Sequence, residues 1–482
     1  MNEFLKTLQP EKIWHYFGEV LNIPRPSKKE EKIREYLLAF GAARGLETDT
    51  DSVGNILIRK PATPGFESHN GVVLQAHIDM VAEKTGTSTH NFETDPIEAR
   101  EENGWIKAKD TTLGADNGIG VAACLAVLDS NDLQHPAIEA LFTVDEETGL
   151  TGAFGLKTGW LKGKTLLNLD SEDDGQFFIG CAGGIGTYAD YAFNTEPLPN
   201  AHKVYAVQLH GLQGGHSGDD INKGRGNANQ LLARFLYSFS DKLSLRLASF
   251  NGGNLHNAIP REASAVIAVP DTKILDLEKS VIAYEKVLQN ELKYADEKVK
   301  FSLAPASTEK VLAKNNQLCI IFALCACPHG VLRMSDTMEN FVETSTNLAS
   351  VKTEKGHIKI VTSQRSSIET AKYFAAHRVA STFKLAGAEV NHNDGYPGWN
   401  PNPDSKIAHL AADTFRKSFN QEPKVLAIHA GLECGLIGEK YPEMDMVSFG
   451  PTMRGVHSPD ERLEIKAVER FWELLVEILK QL

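Results

Sequence analysis

The sequence predicts an α/β fold: a mixed sheet flanked by helices, with a second, α+β segment inserted into it. Three observations carry this. Short apolar runs alternate with helical stretches up to about residue 185. The same texture returns after residue 401. Between them it shifts to half-exposed alternating strands and long charged helices. At 482 residues the chain is too long for one ordinary core. The expected organisation is a discontinuous domain, 1–185 with 401–482, and an insert over 186–400.

PEKIWHYFGEVLNI places Ile13, Tyr16, Phe17, Val20 and Leu21 at helical spacing, and Pro24 and Pro26 end that helix. A second helix follows in SKKEEKIREYLLAFGAARG, with Ser27 as its expected N-cap. Strands follow in LETDTDSVGNILIRKP and in VVLQAHID, a buried run that delivers His77 and Asp79 at its end. Residues 101–116 read as a hairpin, and GIGVAACLAVLDS as a small-residue helix suited to packing on a sheet. IEALFTV and KTLLNLD are short strands ending at Asp145-Glu146-Glu147 and at Asp170.

In the insert, YAVQLHGLQGG, LRLASFNGG, EASAVIAVP and KVKFSLAPA read as strands. NQLLARFLYSFSDK and DLEKSVIAYEKVLQNELKYADEK read as helices. A second strand and helix set runs to IETAKYFAAHRVASTFKLAG, so the insert is expected to hold two related halves without a crisp repeat. DGYPGWNPNPDSK reads as a linker. The strand MDMVSFGP, a loop carrying His457 and a closing helix complete the chain.

A net charge of −13 opposes a nucleic-acid or anionic-membrane partner, and no apolar run is long enough to span a bilayer. No basic segment followed by an apolar run opens the sequence, so no signal peptide is expected. The six scattered cysteines fit reduced thiols in a cytoplasmic protein.

Polar residues gather at the strand ends. His77, Asp79, Asp116, Glu146, Glu147, Asp170 and His457 come from five segments, and an open α/β sheet gathers such ends at one edge. Carboxylates crowded there without a cation would repel one another and take up protons. Imidazole with carboxylate suits zinc, and also manganese or cobalt. Two histidines and three carboxylates can hold two ions if one carboxylate bridges. Of the two acids left over, Asp79 can orient His77 and Glu146 can serve as a general base.

AHIDMV, TTLGADNGIG, FTVDEETGLTGA, NLDSED, GGHSG and GVHSPDE together resemble the metal-dependent peptidases of the M20 family, in its aminoacyl-histidine dipeptidase branch, over essentially the whole chain. The resemblance implies a catalytic domain holding two divalent ions, most often Zn2+, with Mn2+ or Co2+ as alternatives. It implies His77 and Asp170 on one ion, Glu147 and His457 on the other, Asp116 on both, Glu146 as general base and Asp79 orienting His77. It also implies that the insert is a lid and dimerisation domain, so that the protein is a homodimer. Within the lid, His216 would steady an oxyanion, while Asn257 and Arg365 would contact the substrate backbone or carboxylate. Glu433 in HAGLECG would meet a substrate amino group. From the residues alone, Arg365 reads equally as a surface cation and Glu433 as a structural turn residue. The implied activity is hydrolysis of unblocked dipeptides, including Xaa-His and β-Ala-His, by a metal-activated water. The alternatives are an N-acyl-amino-acid deacylase on the same site and a non-catalytic metal-containing peptide-binding protein.

Overall fold

The computed structural model describes residues 2–482, which form two compact units. The first runs up to Gly180 and resumes as Pro401–Ala427 and Leu432–Leu482; the second is Cys181–Asn400 with Ile428–Gly431. The first boundary thus falls at Gly180 rather than at 185, and a short return of the chain, 428–431, joins the second unit.

The first unit is built on an eight-stranded sheet. In spatial order its strands are Glu47–Thr50, Ile56–Lys60, Ile138–Thr143, Val72–His77, Thr165–Asn168, Asp445–Ser448, Gln176–Cys181 and Lys424–Ile428. The four from Ile138–Thr143 to Asp445–Ser448 run parallel, and the strands at the start of this order are antiparallel. Parallel strands in the middle of a sheet are covered on both faces, so they read as unbroken apolar runs. Every residue of Val72–His77 and Ile138–Thr143 is accordingly buried.

Helix Ala115–Asp129 packs on these two strands and on helix Glu11–Leu21. Its alanines and glycines permit that approach, and all of its residues but Asp116 and Asp129 are buried. The closing helix, Ile465–Gln481, buries Ala467, Val468, Phe471, Leu474, Leu475, Ile478 and Leu479. That spacing makes one apolar stripe. Phe471 contacts Phe449, Phe449 contacts Phe177, and Phe177 contacts Phe415, a buried aromatic chain tying two helices to the sheet.

The second unit has a nine-stranded sheet whose named pairings are all antiparallel. It carries helices Ala228–Phe239, Ile274–Glu291, Lys314–Ala326 and Glu369–Leu385. A large hydrophobic core runs through it, including Phe235, Phe250, Ile267, Leu288, Phe301 and Phe383.

Two local expectations are corrected. Ser27 does not cap the second helix, which spans Glu31–Ala43; its hydroxyl donates instead to Asp79 Oδ2 at 2.8 Å. A deeply buried carboxylate is the stronger acceptor, and it takes the hydroxyl away from the helix start. The stretch expected as a linker is not loose, since Tyr396 exchanges backbone hydrogen bonds with Gly184 and Trp399 with Cys181. The described residues form no disulfide, and none of their helices is long and apolar enough to cross a membrane.

Candidate metal centre

The parallel strands deliver their polar residues at their carboxyl ends. His77 is the last residue of Val72–His77, Glu146 and Glu147 follow Ile138–Thr143, and Asp170 follows Thr165–Asn168. Asp116 stands at the start of helix Ala115–Asp129, in non-helical backbone before the regular turns begin. His457 lies beyond the strand Asp445–Ser448, in the loop expected to carry it. A small strand, Met453–Arg454, intervenes, and the residue itself takes φ 61°. Histidine is among the few side chains that tolerate that left-handed conformation.

His77, Asp79, Asp116, Glu146, Glu147, Asp170 and His457 all converge. Asp116 splits its carboxylate, Oδ1 lying 3.0 Å from His77 Nε2 and Oδ2 3.1 Å from His457 Nε2. Asp170 Oδ1 lies 3.3 Å from His77 Nε2, and Glu147 Oε2 lies 3.0 Å from His457 Nε2. Ligand-type atoms of His77, Asp116 and Asp170 form one compact group, and those of Asp116, Glu147 and His457 another. Asp116 belongs to both.

His77 turns Nδ1 toward Asp79 Oδ1 at 3.2 Å. Asp79 accepts hydrogen bonds from the Ser27 hydroxyl and from the backbone N–H groups of Glu146 and Glu147. Its lone pairs are occupied in holding neighbours, which suits orientation rather than ligation.

The electrostatics report crowding. Burial drives the Asp170 carboxyl up to about 8, against the pull of His77. Burial also raises Glu146 well above the carboxylate range, opposed by His77 and reinforced by Asp170, Glu433 and Glu147. Asp116 moves the other way: burial opposes its charge, but His457 and His77 hold it well below the usual range. Hydrogen bonds to Asp116 and Glu147 lift His457 to about 11. Glu147 Oε1 and Asp170 Oδ1 are buried without a hydrogen-bond partner. Three carboxylates, Asp116, Glu147 and Asp170, two of them with an orphaned oxygen, and two imidazoles match the donor set of a divalent-cation site.

Glu433, the first residue of helix Glu433–Lys440, is fully buried. Its Oε2 accepts from Gln75 Nε2 at 2.6 Å and from the Thr143 hydroxyl at 2.7 Å, while Oε1 has no partner. Burial pushes this carboxyl up to about 7.

The remaining sequence candidates lie in the second unit, and it gathers them. His216 pairs with Ala258 across a two-residue ladder, which sets it beside Asn257. Its Nδ1 accepts from the backbone N–H groups of Gly218 and Asp219, at 3.3 and 3.2 Å. That leaves Nε2 to face Arg365 Nη2, 3.5 Å away. Arg365 is buried, not a surface cation, and its Nη1 donates to the Tyr396 hydroxyl at 3.0 Å.

Sequence reasoning missed Arg25, Gln75, Thr143, Tyr396 and Glu461. Two left a trace. Arg25 stands between the prolines of IPRPS, and Glu461 closes the motif GVHSPDE.

Comparison with known proteins shows the family. The chain is 44% identical over 480 residues to the cytosol non-specific dipeptidase of Escherichia coli (strain K12), covering 99% of each. The crystal structure of aminoacylhistidine dipeptidase from Vibrio alginolyticus superposes with a TM-score of 0.94 at 44% identity, over 100% of this chain and 99% of that one. Aminopeptidase PepT from Bacillus cereus ATCC 10987 shares the fold, with a TM-score of 0.62 at 16% identity, over 98% of this chain and 99% of that one. The sequence profile of peptidase family M20/M25/M40 matches residues 73–481, and the chain belongs to that family.

Proposed function

We propose that this protein is a metal-dependent dipeptidase that cleaves unblocked dipeptides, Xaa-His among them, at a two-ion centre. The observation that carries the reading is the split carboxylate of Asp116, with one oxygen toward each imidazole. His77 and Asp170 would hold one ion, Glu147 and His457 the other, and Asp116 both. The names of the two relatives at 44% identity, a non-specific dipeptidase and an aminoacylhistidine dipeptidase, support the substrate class. Zinc suits this donor set, as do manganese and cobalt.

When bound, the ions supply Lewis-acid polarisation of the scissile carbonyl and acidify the attacking water. Glu146 takes the proton of that water and returns it to the leaving amine. Asp79 fixes which nitrogen His77 presents. His216 is proposed to donate from Nε2 to the developing oxyanion, because its Nδ1 already accepts backbone N–H groups. Arg365 is proposed to bind a substrate carboxylate, and Asn257 the substrate backbone. Glu433 is proposed to receive the free amino group. The family resemblance further supports a cytoplasmic homodimer in which the second unit serves as lid and dimerisation domain.

The test is hydrolysis of a dipeptide panel beside N-acetyl amino acids, after reconstitution with zinc, manganese or cobalt. Cleavage of the dipeptides, Xaa-His substrates included, is the expected result. Cleavage of the N-acetyl compounds alone would make the protein a deacylase. Binding without turnover of any compound would make it a peptide-binding protein.

A further inference from the structure

Two buried charges outside the ligand set hold the backbone that carries it. Arg25 is 1% exposed and Glu461 2% exposed. Arg25 Nη1 donates to the carbonyls of Ile78 and Asp79, at 3.0 and 2.7 Å, and its Nη2 donates to the carbonyl of Gly114. One planar guanidinium therefore joins the strand end that presents His77 to the turn that presents Asp116. The turn is shaped to admit it. Gly114 has φ +70°, and a Cβ there would lie 2.7 Å from Arg25 Nη2; at Gly118 it would lie 2.6 Å away.

Glu461 does the corresponding task on the other side. Its Oε2 accepts from the N–H groups of Leu113 and Gly114, at 2.7 and 2.9 Å. Its Oε1 accepts from Ala115 and Asp116, at 2.8 and 3.3 Å. Four successive amides at a helix start are donors that the helix itself cannot satisfy, and one carboxylate collects them all. Glu461 lies four positions after His457, so it also ties the His457 loop to the Asp116 turn.

We propose that Arg25 and Glu461 are positioning residues for the two-ion centre: by clamping the Gly114–Asp116 turn to the strand end bearing His77 and to the loop bearing His457, they hold the bridging carboxylate of Asp116 preformed before any ion arrives. The proposal rests on the two-ion reading of the site. Neither residue touches substrate or ligates an ion. Their effect travels through the backbone that sets where the Asp116 oxygens stand. Residues that orient metal ligands commonly change affinity by about 10–100-fold when altered.

The experiment titrates zinc into metal-free wild type, Glu461→Gln and Arg25→Lys, and reads stoichiometry and affinity by calorimetry with a competing chelator. Hydrogen exchange of the 113–116 amides is followed in the same samples. Glu461→Gln keeps the size of the side chain but offers one acceptor oxygen where there were two. Arg25→Lys loses the planar fork that reaches three carbonyls. Wild type should bind two ions. Each variant should bind at least one of them roughly 10–100-fold more weakly, and Glu461→Gln should lose protection at these amides. Activity lost at low zinc should return on adding excess zinc, which a merely misfolded variant would not show. In metal-free wild type the same amides should stay protected, because Glu461 rather than metal is their acceptor. That measurement decides the question even where a variant is not recovered folded, and rapid exchange there overturns the proposal. Unchanged zinc affinity in both folded variants also overturns it. Wild type that binds fewer than two ions would instead sink the two-ion reading itself.

Discussion

Asp79 Oδ1 lies 3.2 Å from His77 Nδ1, and this contact decides which face of the imidazole the site receives. With Nδ1 engaged, Nε2 points to Asp116 and Asp170. The consequence is testable with Asp79→Asn, which keeps the size but removes the charge that holds the ring. Zinc affinity should fall by about 10–100-fold, with a matching loss of activity at limiting zinc. Affinity within a factor of two of wild type, measured by chelator competition, would remove Asp79 from its orienting role.

Glu146 has a different signature, because neither proposed ion depends on it. Glu146→Ala should keep two ions by elemental analysis, yet dipeptide turnover should fall by about 10²–10⁴-fold. Near-normal kcat in the metal-replete variant would refute the assignment of the base.

Glu433 is an acceptor for two buried donors, Gln75 Nε2 and the Thr143 hydroxyl. Removing it leaves both without this acceptor. Glu433→Ala should therefore lower the unfolding free energy by about 1–3 kcal/mol, read from urea denaturation of the metal-free protein. Glu433→Gln can still accept from one of them and should cost less. Its KM for dipeptides should rise if the carboxylate receives the substrate amine, and an unchanged KM would confine Glu433 to structure.

Two histidines of the second unit set an acid limit. Burial pushes His329 down to about 4, and burial with Arg365 nearby pushes His429 down to about 3. Both rings are neutral in the folded and unfolded chains above about pH 6.5. As pH falls below that value, the unfolded chain takes up protons that the folded chain refuses, so stability is lost down toward pH 4 and 3. The slope should be roughly 1.4 kcal/mol per pH unit for each ring. The double variant His329→Gln, His429→Gln should lose less stability than wild type between about pH 6.5 and pH 4. Parallel pH profiles of urea unfolding for the two proteins would show that these rings do not titrate on unfolding.

The fold was legible where periodicity is strong. VVLQAH and IEALFT read as buried strands because central parallel strands must be apolar on both faces, and both are fully buried. The closing helix shows its stripe in the sequence and keeps it in the fold. The Ser27 cap failed for a specific reason: local capping chemistry lost the hydroxyl to Asp79, a partner 52 positions away. The linker reading of DGYPGWNPNPDSK failed likewise, since Pro, Gly and Asn mark turns without saying whether the turns are bonded to a distant strand.

By itself the sequence determined which side chains were available at the strand ends, because alternation of apolar runs and turns dictates where strands stop and which residues come next. His77, Glu146, Glu147 and Asp170 could be named on that basis, with Asp116 at a helix entry and His457 in a loop. Only the tertiary structure decided how they are held. Arg25 reaches carbonyls 53, 54 and 89 positions away, and Glu461 collects amides about 345 positions distant. Hydrogen bonds of that span leave no periodic mark in a single chain, since they depend on which backbone atoms folding brings within about 3 Å of a buried charge.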